Sequence, residues 1–437
     1  MELNADVVVI GAGAAGLAAA RVLSNAGASA IVLEARDRIG GRLLTREDVG
    51  LPLAIDLGGE FIHGAAAITF DLLRAANTIA VDTGGSAFAY EDGALRERED
   101  PFEIVAGVMA RARSLDRDMS VDDYLRSLPD DDPETPRERR FTRMLVEGFD
   151  AADPHRASVR VLAEEWSPGD EGQTSEQFRP LGGYAHLLRT LHGALDPARA
   201  HVRLSTVVQT VQRGSGGVVV EAASHDASLS VRARSAIITL PLGVLQAGSV
   251  RFAPELPQSK HDALDGLVMG PVVKLALRFR TAFWELANGG LYRGGSFFHR
   301  AEAAFPTFWN MLPLRAPLLI AWAGGPKADA LAGRDEASLT ACALDDLRVL
   351  FGNDPDPQSE LEAVYTHDWQ ADPYARGAYS YVASGGERAR ALLAQPVDDI
   401  LFFAGEATSP ASEAGTVAGA FQTGERAAHE ALAALRG

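Results

Sequence analysis

Three glycines near the N-terminus have the spacing of a phosphate-binding turn. Gly11, Gly13 and Gly16 form the pattern GxGxxG between the run DVVVI at residues 6–10, which we interpret as a buried strand, and a helical stretch at residues 17–25. The first glycine of such a turn permits the sharp bend, the second lets the backbone approach a pyrophosphate, and the third allows close packing of helix on strand. The positive end of the helix dipole would then face the phosphates. The pattern predicts a dinucleotide site.

The residues that follow support the same chemistry. Glu34 ends a second strand-like run at residues 28–35, where a carboxylate can accept hydrogen bonds from ribose hydroxyls. Gly40, Gly41 and Arg42 then provide a second point of close approach with a fixed cation that suits a pyrophosphate. Arg42 could instead be a surface arginine after a turn, and NAD and FAD both fit these residues.

A lysine inside an apolar segment raises a separate question. The segment GPVVKLALRF at residues 270–279 contains Lys274, one of only three lysines among the 41 basic residues. Alternation predicts a strand whose odd-numbered residues 273–279 are buried and whose even-numbered residues, Lys274 included, face water. Taken alone, the pattern gives Lys274 no function.

Composition limits the classes of protein that remain. The chain has 437 residues with 41 basic and 59 acidic side chains, a formal charge of −18, which argues against nucleic-acid binding. The single cysteine, Cys342, excludes an intrachain disulfide and a cysteine-based zinc site, and the histidines show no metal-ligand spacing, so no metal is expected. No apolar stretch of about 18 residues occurs and no basic leader precedes the first strand, so we expect a cytoplasmic protein without a membrane span.

The order of strand and helix patterns predicts an α/β protein. Residues 6–35 form a βαβ unit, residues 202–240 resemble a strand meander, and the C-terminal part shows strand, loop and helix again. The simplest arrangement is a discontinuous Rossmann-like nucleotide domain with an inserted α+β substrate-binding domain. We assign residues 1–70, 185–260 and 385–437 to the first and residues 71–184 and 261–384 to the second.

Nine motifs, in order along the chain, resemble those of the flavin-containing amine oxidases, a family that includes monoamine oxidases, polyamine oxidases and lysine-specific histone demethylases. They are GAGAAGLAAARVL, EARDRIGGR, DLGGEFIHG, ITLPLGVL, GPVVKLALRF, FWN, WQADPYARGAYSYV, LFFAGEATS and GTVAGAFQTGERAA. The likeness is strongest to the polyamine oxidase and demethylase branch. It is weakest between residues 65 and 178.

The resemblance implies bound FAD and a set of cofactor contacts. Besides the three glycines of the turn, these are Ala15, Glu34, Ala35, Arg36, Gly41, Arg42, Gly59, Glu60, Phe61, Val208, Trp369, Glu406, Thr416 and Val417. Within this set, Glu34 would meet the adenosine ribose and Val208 the adenine, whereas Arg36 and Arg42 would lie near the phosphates. Thr416 and Val417 would approach the flavin ring, unless they only pack at a helix start.

Four residues are implied in catalysis. Tyr379 resembles one wall of the aromatic cage beside the substrate amine, and Thr416 stands where monoamine oxidases have a second tyrosine. His63 matches a histidine near the substrate nitrogen, although a structural histidine is an equal alternative. Lys274 takes the place of a lysine that contacts flavin N5 through a water, which reverses the solvated interpretation given above.

One departure from the family bears on how the flavin is attached. Monoamine oxidases bind it covalently through a cysteine that directly precedes the substrate-facing tyrosine, and here that position is Ala378. Because Cys342 lies far away in sequence, we expect noncovalent FAD.

The implied reaction is oxidation of a primary or secondary amine, with polyamines favoured, to an imine that hydrolyses, while O2 becomes H2O2. A flavin desaturase or amino-acid oxidase of the same fold, and a catalytically silent amine-binding flavoprotein, remain as alternatives. Five acidic residues could steer a distal ammonium: Glu60, Glu164, Glu165, Asp170 and Glu171. The sequence leaves open which amine is used, which bond of a polyamine is cleaved, and the oligomeric state.

Overall fold

The computed structural model describes residues 1–98, 101–129, 132–166, 176–224 and 227–436. Two large β-sheets organise this part of the chain. Along the sequence the strands are β1 (Glu2–Ile10), β2 (Ala30–Leu33), β3 (Thr45–Arg46), β4 (Ile55–Asp56), β5 (Ile62–His63), β6 (Ala80–Asp82), β7 (Ser86–Glu91), β8 (Ala94–Arg98), β9 (Gln177–Pro180), β10 (Ala200–Arg203), β11 (Thr206–Gly214), β12 (Gly217–Ser224), β13 (Ala227–Ile238), β14 (Arg251–Ala253), β15 (Leu267–Gly270), β16 (Val272–Phe279), β17 (Gly295–His299), β18 (Thr307–Asn310), β19 (Leu318–Gly324), β20 (Leu361–Thr366), β21 (Tyr379–Val382) and β22 (Leu401–Phe403).

Helices cover both faces of the first sheet and one face of the second. Along the sequence they are α1 (Ala14–Asn25), α2 (Ala67–Ala75), α3 (Pro101–Ala112), α4 (Val121–Ser127), α5 (Thr135–Gly148), α6 (Val159–Glu165), α7 (Tyr184–Gly193), α8 (Leu242–Gln246), α9 (Gln258–Asp265), α10 (Ala287–Gly290), α11 (Gly325–Leu331), α12 (Glu336–Phe351), α13 (Pro357–Glu360), α14 (Ala389–Ala394) and α15 (Val417–Arg436).

The first sheet has the strand order β10-β2-β1-β13-β12-β11-β14, with β22 added against β13. β1 pairs in parallel with both β2 and β13, and β22 is parallel to β13. Within the predicted meander, β11, β12 and β13 are antiparallel neighbours, as expected. β10 instead lies parallel to β2 at the sheet edge, so the inclusion of its residues in the meander is wrong.

The first strand is buried on both faces. Val7 and Val9 join a core formed with α1, α7 and α15, while Val8 and Ile10 join a second core on the opposite face. All four side chains are at most 2% exposed, as expected for a strand in the middle of a parallel arrangement. This covered sheet fixes the position of the loop that follows β1.

The glycine turn connects β1 to α1 as its spacing predicts. Gly11 has a φ of +108°, a value that favours glycine, and helix α1 begins at Ala14 with Gly13 as its N-cap. A Cβ on Gly16 would overlap the carbonyl oxygen of Gly11, so only glycine permits this approach of helix and strand. The start of α1 is therefore held against the carboxyl end of β1.

The second sheet has the order β20-β16-β19-β18-β17-β7-β8 and covers the cavity described below. On β16, Leu275 and Leu277 pack into a core that includes α12, whereas Ala276 packs in another core, against apolar residues between Leu44 and Leu57. Both faces of the strand are thus covered. Lys274 is only 2% exposed, and the prediction of a solvated face from alternation is wrong because the segment that contains β3 and β4 covers this face in place of water.

The strands of the first sheet fall within residues 1–70, 185–260 and 385–437, and those of the second within residues 71–184 and 261–384. A small sheet of β5, β9 and β6 joins the two groups, because β5 lies before residue 70 and its partners after it. The division into two domains at these residues stays a prediction. No helix in the described ranges combines the length and the apolar character that a bilayer crossing needs.

Candidate active site

Two cavities meet in the interior. One, of about 300 Å³, runs along the carboxyl edge of the parallel strands in the first sheet, and the other, of about 230 Å³, lies under the second sheet. The residues that line both are Arg42, Gly59, Ala378, Tyr379, Gly415, Thr416 and Val417. A molecule in the first cavity can therefore present one end to the contents of the second.

The first cavity contains most of the predicted cofactor residues. Its lining includes Gly11, Gly13, Ala15, Glu34, Ala35, Arg36, Gly41, Arg42, Gly59, Val208, Glu406, Thr416 and Val417. Gly16 does not line this cavity, because it packs against the backbone of Gly11 in the turn. Glu60, Phe61 and Trp369 line the second cavity instead. They would contact the cofactor only where the two cavities meet.

The Glu34 carboxylate is fixed by backbone groups at the edge of the first sheet. The N–H of Ala12 donates to Oε2 at 2.8 Å, and the N–H of Arg36 donates to Oε1 at 2.9 Å. Because each carboxylate oxygen has two acceptor sites, Glu34 can still accept hydrogen bonds from a ribose. The glycine turn and Glu34 thus keep the arrangement that their spacing predicts.

The shape of this cavity fits a dinucleotide that carries a flavin. Its lining contains Glu34 and Val208, the glycine turn at the start of α1, and Thr416 and Val417, which also line the second cavity. A Cβ on Gly41 would come 3.4 Å from the Cα of Gly13, so the two glycine segments approach each other closely. These residues would hold the adenosine, the pyrophosphate and the ring end in that order.

The two predicted phosphate-side arginines are held by carboxylates. Arg36 donates to Asp372 at 2.7 Å, and its guanidinium lies 5.4 Å from the ring centroid of Tyr374. Burial would raise the pKa of Asp372, but hydrogen bonds from His367 and Arg36 hold it below its ordinary value. The side chain of Arg36 is therefore preorganised.

Arg42 belongs to a network that connects the two cavities. It donates to the carbonyl oxygen of Ala378 at 2.7 Å and to Glu406 at 2.8 Å, and Glu406 also accepts from the Ser380 hydroxyl at 2.7 Å. Arg390 donates to the same hydroxyl at 2.9 Å. Burial alone would raise the pKa of Glu406, but the two arginines outweigh it and lower that pKa, so the carboxylate stays ionised.

Aromatic side chains form a large part of the wall of the second cavity. Its rings include Phe61, Phe149, Phe297, Trp309, Trp322, Trp369, Tyr379 and Tyr381. Phe61 lies 5.5 Å from Trp309, and Trp309 lies 5.5 Å from Trp322, measured between ring centroids. Such a wall can hold an alkyl chain and can face a cation or an amine nitrogen.

Tyr379 and Thr416 both lie at the junction. The Tyr379 hydroxyl donates to the carbonyl oxygen of Phe149 at 2.7 Å, and burial together with the nearby Asp150 raises the pKa of Tyr379 above its ordinary value. It therefore stays a neutral phenol with a fixed ring. The Thr416 hydroxyl accepts from the N–H of Gly419 at 3.0 Å, so it supports the start of α15 as well as lining the cavities.

His63 faces the second cavity as a neutral imidazole. Burial lowers the pKa of His63 to about 4. Its ring centroid lies 5.3 Å from Phe149 and 6.0 Å from Phe61. These surroundings agree with the prediction of a neutral hydrogen-bonding group and do not by themselves assign it a catalytic role.

The Lys274 ammonium is held at the edge of the second cavity. Nζ donates to Glu60 Oε2 at 2.7 Å and to the carbonyl oxygens of Asp56 and Gly58 at 2.6 and 3.2 Å. Glu60 Oε1 in turn accepts from Arg179 at 2.6 Å and from the Trp309 indole at 3.1 Å. Glu60 is thus paired with protein cations, which argues against its predicted role in steering a substrate ammonium.

Sequence reasoning found only part of the polar lining. Of the other candidate acids, Glu165 lines the second cavity, Glu164 is exposed, and Asp170 and Glu171 lie outside the described residues. Burial raises the pKa of Glu165 to about 6, against the opposing charge of Arg390.

Asp150 and Arg390, which also line this cavity, were missed. Burial and the charge of Glu165 raise the pKa of Asp150 well above its ordinary value. Neither residue stands in a motif with a spacing of its own, so no signal in the sequence marked them.

Comparison with known proteins decides the family. The model of the family described as "Flavin containing amine oxidoreductase" matches residues 14–432. The chain belongs to this family. The cofactor of this protein is FAD, and its class of reaction is amine oxidation. The resemblance inferred from the nine motifs is confirmed.

Curated relatives support the predicted branch of the family. "Probable polyamine oxidase 4" of Arabidopsis thaliana is 31% identical, over 97% of this chain and 86% of the relative. "Lysine-specific histone demethylase 1 homolog 3" of the same plant is 30% identical, over 98% of this chain but 30% of the relative. The structure of a putrescine oxidase bound to putrescine matches with a TM-score of 0.83 at 23% identity, covering 99% of this chain and 100% of that one. This last match confirms the two-domain α/β fold of the family.

The junction also bears on flavin attachment. Ala378 lines both cavities and directly precedes Tyr379, so no thiol is available at the position where some members of the family bind their flavin. Cys342 lies on α12 and packs against the core of the second sheet. Noncovalent FAD stays the prediction.

Proposed function

We propose that this protein is an FAD-dependent oxidase of primary or secondary amines, with polyamine-like molecules as the substrate class. When bound, FAD supplies the hydride acceptor and returns the electrons to O2, which becomes H2O2. The imine product hydrolyses to an aldehyde and an amine or ammonia. The observation that carries the proposal is the junction of an aromatic cavity with the dinucleotide cavity at Tyr379, Thr416 and Val417.

The side chains of the second cavity would bind and orient the amine. The ring of Tyr379 is fixed by its hydrogen bond to Phe149 and offers one face to a nitrogen. Apolar surroundings favour a neutral amine over an ammonium, because burial penalises the charged form. His63 is neutral because burial lowers its pKa as well. It can therefore accept a hydrogen bond from that nitrogen without adding a competing charge.

A substrate with a second amino group suits the charges of the wall. Asp150 and Glu165 lie among aromatic residues there, and a second, protonated amino group beside them would favour their ionised forms and pair with them. Arg390, one of two arginines that line this cavity, could favour an amino acid instead. Its guanidinium is already engaged by Ser380, at 2.9 Å to both the hydroxyl and the carbonyl oxygen, and lies 3.5 Å from Glu165. This supports an amine over an amino-acid substrate.

A substrate panel tests the reaction and the substrate class together. Oxygen uptake and peroxide formation would be measured with monoamines, diamines, triamines and amino acids, and the carbonyl product would be identified. We expect peroxide and aldehyde with amines, and the highest kcat/KM among diamines or triamines. Activity with amino acids alone would favour the amino-acid oxidase alternative, and no turnover with any compound would favour a silent flavoprotein.

The noncovalent attachment has a direct test. Acid precipitation of the holoprotein should leave the yellow flavin in the supernatant, because Ala378 offers no thiol. Colour that stays with the pellet would contradict it.

A cytoplasmic location belongs to the same proposal and is supported by the presence of one cysteine in 437 residues.

A further inference from the structure

Lys274, Glu60 and Arg179 form a buried cluster of three charges at the edge of the second cavity. Their exposures are 2%, 7% and 8%. Lys274 stands on β16, Arg179 on β9, and Glu60 just before β5, so three separate parts of the fold converge here. Buried charges are retained only when they are paired and hydrogen bonded, and each of the three is.

The two oxygens of the Glu60 carboxylate have different partners. Oε1 accepts from Arg179 Nε and from the Trp309 indole, and among the described residues Oε2 accepts from Lys274 alone. Arg179 is itself fixed, because its other nitrogens donate to the carbonyl oxygens of Leu312 and Asn310 at 3.3 and 3.1 Å. The orientation of Oε2, and hence the direction in which it draws the ammonium, is set by groups other than Lys274.

The ammonium has no freedom left in this arrangement. Its three N–H groups meet three acceptors, Glu60 Oε2 and the carbonyl oxygens of Asp56 and Gly58. Nζ also lies 5.6 Å from the ring centroid of Trp309. Since Lys274 lines the second cavity, the position of this charge relative to the junction depends on Glu60.

The charges of the cluster do not cancel. Burial would raise the pKa of Glu60, but Lys274 and Arg179 outweigh it and hold that pKa below its ordinary value, so Glu60 is an anion between two cations. The neighbouring carboxyl of Asp56 has a pKa raised by burial to about 7 and is partly neutral near neutral pH. Glu60 is therefore the principal counter-charge to Lys274.

We propose that Glu60 is a positioning residue that fixes the Lys274 ammonium and sets how much positive charge the flavin experiences. The proposal rests on the proposed function in that FAD must occupy the first cavity with its ring end at the junction. Reduction makes the flavin more negative, and a nearby cation favours the reduced form. Removal of Glu60 and removal of Lys274 should then shift the flavin potential in opposite directions.

The experiment is a redox titration of the holoprotein with a chemical reductant and a reference dye, without any amine. Glu60→Gln should favour the reduced flavin by at least about tenfold, which is about 30 mV for a two-electron couple. Lys274→Met should favour the oxidised flavin to a similar degree, and the double variant should return toward the wild-type potential. Glu362→Gln is the matched control, because Glu362, on β20, pairs at 3.3 Å with Arg278, which stands on β16 as Lys274 does. It should leave the potential unchanged.

A second variant guards against misfolding of the first. Glu60 and Arg179 also line a separate cavity of about 470 Å³, which a small carboxylate could enter. In Glu60→Ala, formate should move the flavin potential back toward the wild-type value. The flavin potential of the control variant Glu362→Gln should not change when formate is added. Equal potentials in the wild type and in Glu60→Gln, or shifts of the same sign in Glu60→Gln and Lys274→Met, would overturn the proposal. A protein that shows the predicted shifts but is not reduced by amines would contradict only the proposed function.

Discussion

At the scale of single residues, the chemistry depends on charges that are kept away from water. Lys274 is 2% exposed and is stabilised there by one carboxylate and two carbonyl oxygens. A cation in such a place is costly without partners, so a purely structural role would be served as well by an apolar residue. Its position in the wall of the aromatic cavity supports an electrostatic effect on a flavin at the junction, and the water contact implied by the family stays a prediction.

Replacement of this lysine tests that role. Lys274→Met should slow amine oxidation or flavin reoxidation at least about tenfold, or about 1.4 kcal/mol in the barrier, while FAD remains bound. Lys260→Met is the control, because Lys260 is 1% exposed and donates to carbonyl oxygens of Leu392 and Leu393 away from both cavities. Stopped-flow measurement of both half-reactions would check this, and unchanged rates in Lys274→Met would return the residue to a structural role.

Two histidines with lowered pKa values, the partly buried His63 and the buried His299, predict how stability depends on pH. Burial lowers the pKa of His63 to about 4 and that of His299 to about 4, whereas an unfolded histidine titrates near about 6.5. Between these values the unfolded chain binds more protons, so stability falls as pH decreases through that window.

The effect can be isolated by removing the imidazoles. When the pH is lowered from 7 to 5, proton binding to each histidine in the unfolded chain should reduce the free energy of unfolding by roughly 1 to 2 kcal/mol. The variants His63→Gln and His299→Gln should each lose less stability over this interval than the wild type in urea unfolding. The same loss in all three proteins would show that these side chains are not buried neutral.

Part of the site could be predicted from local sequence, and part could not. Gly11, Gly13 and Glu34 lie within one βαβ unit, and their spacing alone predicts the geometry observed. The partners Lys274 and Glu60 are 214 positions apart, and Arg179 stands in no recognisable motif. Their contact depends on how the second sheet is placed against the small sheet of β5, β9 and β6. The periodicity of a single strand does not encode that placement.

At the scale of elements, the turn between β1 and α1 separates two roles of glycine. A Cβ on Gly13 would find its nearest neighbour 3.8 Å away, at the carbonyl oxygen of Gly40, but it would point into the cofactor cavity that Gly13 lines. A Cβ on Gly16 would overlap the backbone of Gly11. Glycine at position 13 is therefore required for ligand binding, and glycine at position 16 is required for the packing of the fold.

Alanine at each position should give different results. Gly13→Ala should leave the unfolding free energy of the apoprotein nearly unchanged and weaken FAD binding at least about tenfold, about 1.4 kcal/mol. Gly16→Ala should destabilise the apoprotein itself by roughly 1 to 3 kcal/mol through overpacking. Thermal unfolding of both apoproteins and a fluorescence titration with FAD would measure this, and equal apoprotein stability in the two variants would contradict the argument.

The strand β16 shows why alternation can mislead. Period-2 patterns predict burial only when the second face of a sheet meets water. On β16 that face is covered by the segment around residues 44–57, which places Ala276 in a core and Lys274 in the cavity wall. The edge position of β10 was missed for a related reason, since strand order is not contained in the pattern of one strand.

At the scale of the whole molecule, the active site is assembled from distant parts of the chain. Residues from the N-terminal turn, from β16 and from the start of α15 surround two cavities that share a boundary at Tyr379. The family and the α/β fold could be inferred from ordered motifs, because those motifs lie at the cavities. The intervening region up to residue 178, where the motifs are weakest, contributes Asp150 and Glu165 and could not be assigned in detail.

The central claim is that an amine in the aromatic cavity reduces FAD held in the neighbouring one. The most direct measurement is the visible flavin absorbance of the purified holoprotein, mixed without oxygen with each amine of a panel that contains diamines and triamines. We predict that the flavin band bleaches with at least one amine and returns when air is admitted. A holoprotein whose bound flavin stays oxidised with every amine, yet bleaches with dithionite, would contradict the claim.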